Sequence, residues 1–197
     1  YIFVFDPSED RTEAIAREYE QRVREGRYPI RAKSVTMQVI RPEERGGMYM
    51  ALNTGFARAT GDVEAWIPAD DKYEQGTFRV VSAVLNAYPE IEWLRGNTAI
   101  INEASAIEHK GRCQIFYQPW IRAGVYGMET YHVDQAGVFW RTPLWKKGGT
   151  FPASFKSMGD YWLWTSFAKF ARLWTVNAPL AQYRKQPGQD SKVNAER

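Results

Sequence analysis

Apolar and polar positions alternate along this chain between short hydrophobic runs and amphipathic stretches. Residues 1–5 (YIFVF) form an unbroken aromatic and β-branched run, the pattern of a strand buried on both faces. Turn residues follow, then a charged helical stretch that stops at Gly26. Residues 34–40 (SVTMQVI) read as a second strand, and residues 46–60 place apolar side chains at helical spacing up to Gly61. A third strand (VEAWIP, 63–68), a third helix (77–90) and a fourth strand (IEWLRGN, 91–97) come next. This order predicts an α/β fold with a mainly parallel sheet. Residues 103–130 mix turn residues with aromatics and read as a loop over one edge of the sheet. The chain shows no internal repeat and no low-complexity tract.

Composition narrows the classes. At 197 residues one domain is expected. Hydrophobic residues make up 44% and aromatic ones 15%, enough for a real core, which excludes disorder. The net charge of +3, from 26 basic and 23 acidic residues, is too balanced to argue for nucleic acid and suits a small anionic ligand. Cys113 is the single cysteine, so no intrachain disulfide forms, and a reducing, cytoplasmic setting is permitted. No apolar run approaches the roughly 20 residues of a membrane span. No signal peptide opens the chain.

Candidate chemistry sits where the strands stop. In an open α/β sheet, ligands bind at the carboxyl ends of the strands. Asp6 follows the first predicted strand, and Asp70 and Asp71 stand side by side after the third, in WIPADDKY. Adjacent carboxylates repel, and a hydrophobic strand end is partly desolvated. Capping of the following helix offsets that cost, and so does a divalent cation such as Mg²⁺ or Mn²⁺, which prefers oxygen ligands. Asp6 suits an Asx-turn or a ligand contact. Asp160, ahead of the aromatic stretch YWLWTSFAKF, suits an N-cap or a general base. Asn53 and Asp62 read as turn and helix-end residues, and Gly148 and Gly149 as a tight loop. Of Trp162 and Trp164, one reads as core and one as a surface for a sugar face. His109 and His132 have no second His or Cys at metal-ligand spacing.

Five segments in order carry a family resemblance. DPSEDRT (6–12) resembles the DGSTDGT turn of family-2 glycosyltransferases, and ALNTGFARATGDVEAWIPADD (51–71) resembles that family's stretch ending in a DXD-like motif. QAGVFWRTPLWKKGG (135–149), MGDYWLWTSFAK (158–169) and APLAQYRKQPGQDS (178–191) are similar to its later segments. The resemblance implies a GT-A fold, a Rossmann-like three-layer α/β/α arrangement. It divides a single domain, 1–197, into a nucleotide-sugar-binding half to about residue 100 and an acceptor-binding half beyond it.

The resemblance also implies an activity. A sugar would pass from a UDP-, GDP- or dTDP-sugar to a glycan or lipid-linked acceptor hydroxyl, with inversion and with Mn²⁺ or Mg²⁺, in polysaccharide or glycoconjugate synthesis. Asp6 would lie near the base or ribose, Asp70 near the ribose or sugar, Asp71 on the metal, and Asp160 would be the base. The family pattern admits a peripheral membrane or protein contact, made through a partner or region outside this chain. Nucleic acid is not expected as a partner, given the balanced charge. The alternative is a non-catalytic nucleotide-sugar or glycan-binding module on the same scaffold. Retention of Asp70, Asp71 and Asp160 together argues for the enzyme, while Gln186, in place of a frequent His, argues for the module; Met50 in place of a frequent Asp and Thr142 in place of a frequent Arg are further departures. The family's fold also opens with a strand and helix ahead of the segment matched by Tyr1–Phe5. The sequence therefore predicts residues before Tyr1 in the native protein, a partner that supplies the strand, or loss of activity.

Overall fold

The structure, a computed structural model, describes residues 1–29, 32–126, 132–155 and 157–187. It divides into two compact units. The first is Tyr1–Thr60 with Phe151–Lys156, and the second is Gly61–Thr150 with Ser157–Arg197.

In the first unit β1 (Ile2–Val4) and β2 (Gln38–Ile40) pair in parallel, with α1 (Thr12–Arg24) between them in sequence and α2 (Gly47–Phe56) after them. Asp10 sets the start of α1: its Oδ1 accepts the Thr12 N–H and the Ser8 hydroxyl, both at 2.8 Å. That satisfies one of the amides the first turn leaves without a helical partner. After α1 the chain reverses at Gly26, whose φ of 67° suits a residue without a Cβ. β2 is shorter than the predicted strand, and β1 is half-buried rather than enclosed. Among the described residues β1 has β2 on one edge and no strand on the other. The outer edge of β2 is covered by side chains of α1: Val39 donates its N–H to Glu20 Oε1 at 2.9 Å and accepts Arg17 Nη1 at 2.9 Å. Phe5, Ala16 and Val39 form the small core of this unit. The distant residue Phe151 is anchored by Asn53, whose amide exchanges two hydrogen bonds with its backbone at 2.8 and 2.9 Å. Asn53 is thus an anchor inside α2, where the sequence suggests a turn or helix end.

The second unit contains β3 (Val63–Glu64), β4 (Lys72–Tyr73), α3 (Thr77–Ala87), β5 (Trp93–Ile101), β6 (Ile107–His109), α4 (Gln118–Arg122), β7 (Val138–Arg141), α5 (Thr142–Gly148), α6 (Gly159–Phe167) and β8 (Leu173–Arg184). Its sheet runs β3-β7-β5-β8-β4, with β6 added to β5. The fold is α/β with a mixed sheet, but this sheet is not mainly parallel as the element order predicts: β5 and β8 are parallel, and the other ladders are antiparallel, because strands distant in sequence (β7, β4) insert beside them. The third predicted strand shrinks to Val63–Glu64 and pairs antiparallel with β7. Its later residue Trp66 leaves the ladder to enter the core. Within 103–130, expected to be a loop, β6 and α4 form.

Successive residues of a strand face opposite sides of a sheet, so the pairs Trp93–Leu94 and Phe139–Trp140 build two cores. Leu94 and Phe139 join Val81, Leu85, Ile91 and Leu180 beneath α3. Trp93 and Trp140 join Trp66, Trp164 and Phe167, with Trp66 and Trp164 stacked at 5.6 Å. Trp164 is therefore the core member of the Trp162–Trp164 pair. β8 crosses β5 so closely at Gly96 that a Cβ there would meet Leu180 Cγ at 2.2 Å. At this point β8 bulges: Arg95 pairs with Thr175 and Asn97 with Pro179, two residues against four. The bulge also accommodates Pro179, which lacks a ladder donor.

Candidate functional site

Asp70 and Asp71 occupy a turn between β3 and β4, closed by the Asp71 N–H donating to the Pro68 carbonyl at 3.2 Å. They do not cap the next helix. That helix is α3, whose N-cap is Gly76 in the left-handed conformation. The end of β8 holds them instead. The Arg184 N–H donates to Asp71 Oδ1 at 2.8 Å, and Arg184 Nε donates to the Asp70 carbonyl at 2.8 Å. The rest of the guanidinium is spent on the Asn102 and Glu103 carbonyls and Ser105 Oγ, at 2.7 to 3.1 Å. Lys72 Nζ reaches the same Ser105 hydroxyl at 2.7 Å. Gln186 turns its amide nitrogen to Asp70 Oδ2 at 3.2 Å. This residue of the last family-like segment therefore does meet the aspartate pair. Gly188 to Ser191 of that segment lie outside the described residues.

Burial pushes the Asp71 carboxyl up to about 6, the charge of Asp70 adds to the rise, and the Arg184 N–H and guanidinium oppose it. A group so placed favours either a proton or a cation.

Asp160 lies in the first turn of α6 and is not its N-cap. Met158 is, with a φ of 61°. Burial raises the Asp160 carboxyl, while the backbone N–H groups of Tyr161 and Asp160 and the charge of His132 pull the other way. A negative group in the first turn is also favoured by the helix dipole. Tyr161 donates its hydroxyl to the Gly124 carbonyl, fixing this end of α6.

Beside it is a cluster that the sequence did not suggest. Arg95, 2% exposed, donates from Nη2 to Asp134 Oδ2 at 3.2 Å, and His132 Nε2 stands 3.2 Å from Asp134 Oδ1. The guanidinium sits 5.2 Å over the Phe116 ring, and its buried Nε has no hydrogen-bond partner among the described residues. The bond to Asp134 holds the His132 imidazole above its ordinary value, and burial lowers Arg95. Nothing local marks Arg95 inside the apolar run IEWLRGN, because its partner is 39 residues away.

Trp66 links the two groups. Its ring stacks on Trp164 of α6, and its carbonyl accepts Gln135 Nε2 at 2.6 Å and Tyr73 Oη at 3.2 Å. The segment leading into the aspartate turn thus touches both the helix of Asp160 and the residue after Asp134.

Asp6 belongs to the first unit. Its carboxylate accepts the Gly46 and Gly47 N–H groups at 3.3 and 3.0 Å, so it caps α2 rather than closing its own Asx-turn.

These features define a GT-A type glycosyltransferase fold. Residues 1–91 match the family model described as Glycosyl transferase family 2, so the resemblance read from the motifs is borne out over that span. No curated protein sequence matches the chain. Among solved structures the chain is similar to S. aureus TarS 1-349 in complex with UDP-GlcNAc, with a TM-score of 0.72, 17% identity, and coverage of 97% of this chain and 51% of that one. It is also similar to the mannosyltransferase PcManGT from Pyrobaculum calidifontis, solved with GDP-Man and Mn²⁺, with a TM-score of 0.63, 18% identity, and coverage of 95% and 48%. A third likeness is GalNAc-T7, solved with UDP, GalNAc and Mn²⁺, with a TM-score of 0.64, 12% identity, and coverage of 94% and 37%. The chain spans about half the length of the TarS and PcManGT chains it matches.

Proposed function

We propose that this chain is the sugar-transfer domain of an inverting glycosyltransferase that uses a nucleotide-sugar donor and an acceptor hydroxyl. One observation carries the reading: within a GT-A fold, Asp71 is a half-buried carboxylate raised to about 6, beside Asp70 and fixed by Arg184. The structural neighbours solved with UDP-GlcNAc and GDP-Man support a nucleotide-sugar as donor.

The donor set fits a divalent cation. Among the described residues no three His, Cys, Asp or Glu side chains gather to hold a metal by themselves. Mg²⁺-type sites are commonly built from one or two carboxylates, with substrate phosphates completing the shell. Asp71, with Asp70 beside it, meets that requirement, and the Gln186 amide, turned over, would present its oxygen. When bound, the cation would stabilise the charge gathering on the departing diphosphate.

The remaining work falls to the chain. The acceptor oxygen forms a bond to the anomeric carbon as the bond from that carbon to the diphosphate breaks, and the nucleoside diphosphate leaves with the electron pair. Asp160 takes the acceptor proton. Its raised carboxyl makes it a stronger base than a free aspartate, and such catalysis is worth about 10²–10⁴-fold. Asp6 is assigned to the base or ribose by the family pattern. Calorimetric titration of UDP, GDP and dTDP with and without Mn²⁺ tests the donor half of the reading: metal-dependent binding of one of them is expected. A sugar-transfer assay on the complete protein tests the rest. Donor binding without transfer or donor hydrolysis would establish the binding module instead.

A further inference from the structure

Two stretches of the second unit lie side by side and carry charge of one sign. Residues 110–126 contain Lys110, Arg112 and Arg122, residues 168–176 contain Lys169 and Arg172, and neither stretch has an aspartate or glutamate. The whole chain, by contrast, is near balance at 26 basic to 23 acidic residues. The stretches are tied together by Thr175 Oγ1 donating to the Gln114 carbonyl at 2.8 Å and Gln118 Nε2 donating to the Ala168 carbonyl at 2.9 Å.

The same stretches expose large apolar side chains. Ile115 is 75% exposed, Tyr117 59% and Trp120 52%, and Val125, Phe170 and Trp174 are exposed too. The Trp120 ring touches those of Tyr117 and Tyr126, with centroids 5.8 and 5.9 Å apart. Arg172 lies 5.1 Å over Trp174 and lines a hollow of about 380 Å³ with Ile115 and Tyr117.

An exposed apolar patch of this kind marks an interaction surface. Trp and Tyr seat well at the boundary between lipid headgroups and acyl chains, and neighbouring Lys and Arg pair with anionic headgroups. A field of one sign suits a dense plane of negative charge better than the mixed charges of a protein surface. No helix among the described residues is long and apolar enough to cross a membrane, and α4 has 5 residues, so the contact is peripheral. We infer that this aromatic and basic face docks the protein on an anionic bilayer. The inference does not depend on the sugar-transfer reading. The face also adjoins the helix of Asp160 through the bond from Tyr161 to Gly124.

Sedimentation with vesicles tests it, using the full chain. Vesicles of equal parts phosphatidylcholine and phosphatidylglycerol are expected to bring the protein down, phosphatidylcholine alone to leave it in solution, and added salt to release it. The double variant Arg122→Glu/Arg172→Glu should weaken binding by at least about tenfold, since each basic residue near such a surface contributes severalfold. Tyr117→Ser/Trp120→Ser should weaken it as well while leaving the salt response in place. These side chains are exposed, and unchanged thermal melting of the variants confirms that they fold. Absence of binding to the anionic vesicles, equal binding to both kinds, wild-type binding by either variant, or preference for a soluble acidic glycan over vesicles would each overturn the inference.

Discussion

The backbone N–H of Arg184 donates to Asp71 Oδ1 at 2.8 Å across 113 residues of chain. The last strand therefore places the aspartate pair. The bond comes from the main chain, so any residue at 184 can make it, but only arginine also reaches the Asp70, Asn102 and Glu103 carbonyls. Arg184→Ala should keep the fold and weaken nucleoside diphosphate binding, read by calorimetry, through loosening of the turn.

Asp71→Ala is expected to remove both the metal dependence and most of the affinity for a nucleoside diphosphate. Titrations with and without Mn²⁺ check this. Undiminished, metal-independent binding by the variant would refute the assignment.

The raised Asp71 carboxyl gives a pH signature. Between the ordinary value near 3.8 and about 6, the folded protein holds a proton that the unfolded chain has released. Ionisation of Asp71 thus opposes folding, fully so above about pH 6, and this group's contribution to stability rises as pH falls toward 4. Thermal melts of Asp71→Asn from pH 7 down to 5 should lack the part of the slope that this group gives the wild type. Cation-dependent donor binding should run the opposite way and tighten as pH rises through 6, because metal and proton compete for the carboxylate.

Asp160→Asn is expected to lower the transfer rate by at least about 10²-fold while leaving nucleotide affinity within a few-fold, because a proton acceptor matters mainly in the transition state. The amide is isosteric and stays in the first turn of α6, so folding should persist. A wild-type transfer rate would move the base elsewhere.

Asp134→Ala leaves the Arg95 guanidinium buried without its carboxylate and should cost about 2–3 kcal/mol of stability in denaturant unfolding. Adding Arg95→Met should recover much of that loss, since the guanidinium, buried while Asp134 is partly exposed, is then no longer left without its carboxylate. A double variant no more stable than Asp134→Ala alone would show that the pair is not the source of the loss.

The first three helices were legible because their signals are local: turn residues before α1, Gly26 after it, and apolar spacing in α2 and α3. The aspartate turn was legible through its motif. Pairing was not. Nothing near Val63 tells that its partner is Arg141 in the opposite direction, nor that APLAQYR, read as a motif, is the end of the long strand β8. The Arg95–Asp134–His132 cluster escaped for the same reason, since each member looks ordinary until the fold joins them.

β8 also has a consequence for synthesis on the ribosome. It is the parallel neighbour of β5 and the antiparallel neighbour of β4, and its final residue secures Asp71. Until Arg184 has left the exit tunnel, β5 and β4 lack the strand that joins them, and the aspartate turn lacks its holder. A nascent chain stalled between Asp160 and Arg184 carries Asp70, Asp71 and Asp160 yet cannot arrange the aspartate turn. Arrangement of the aspartate turn therefore waits on translation through Arg184.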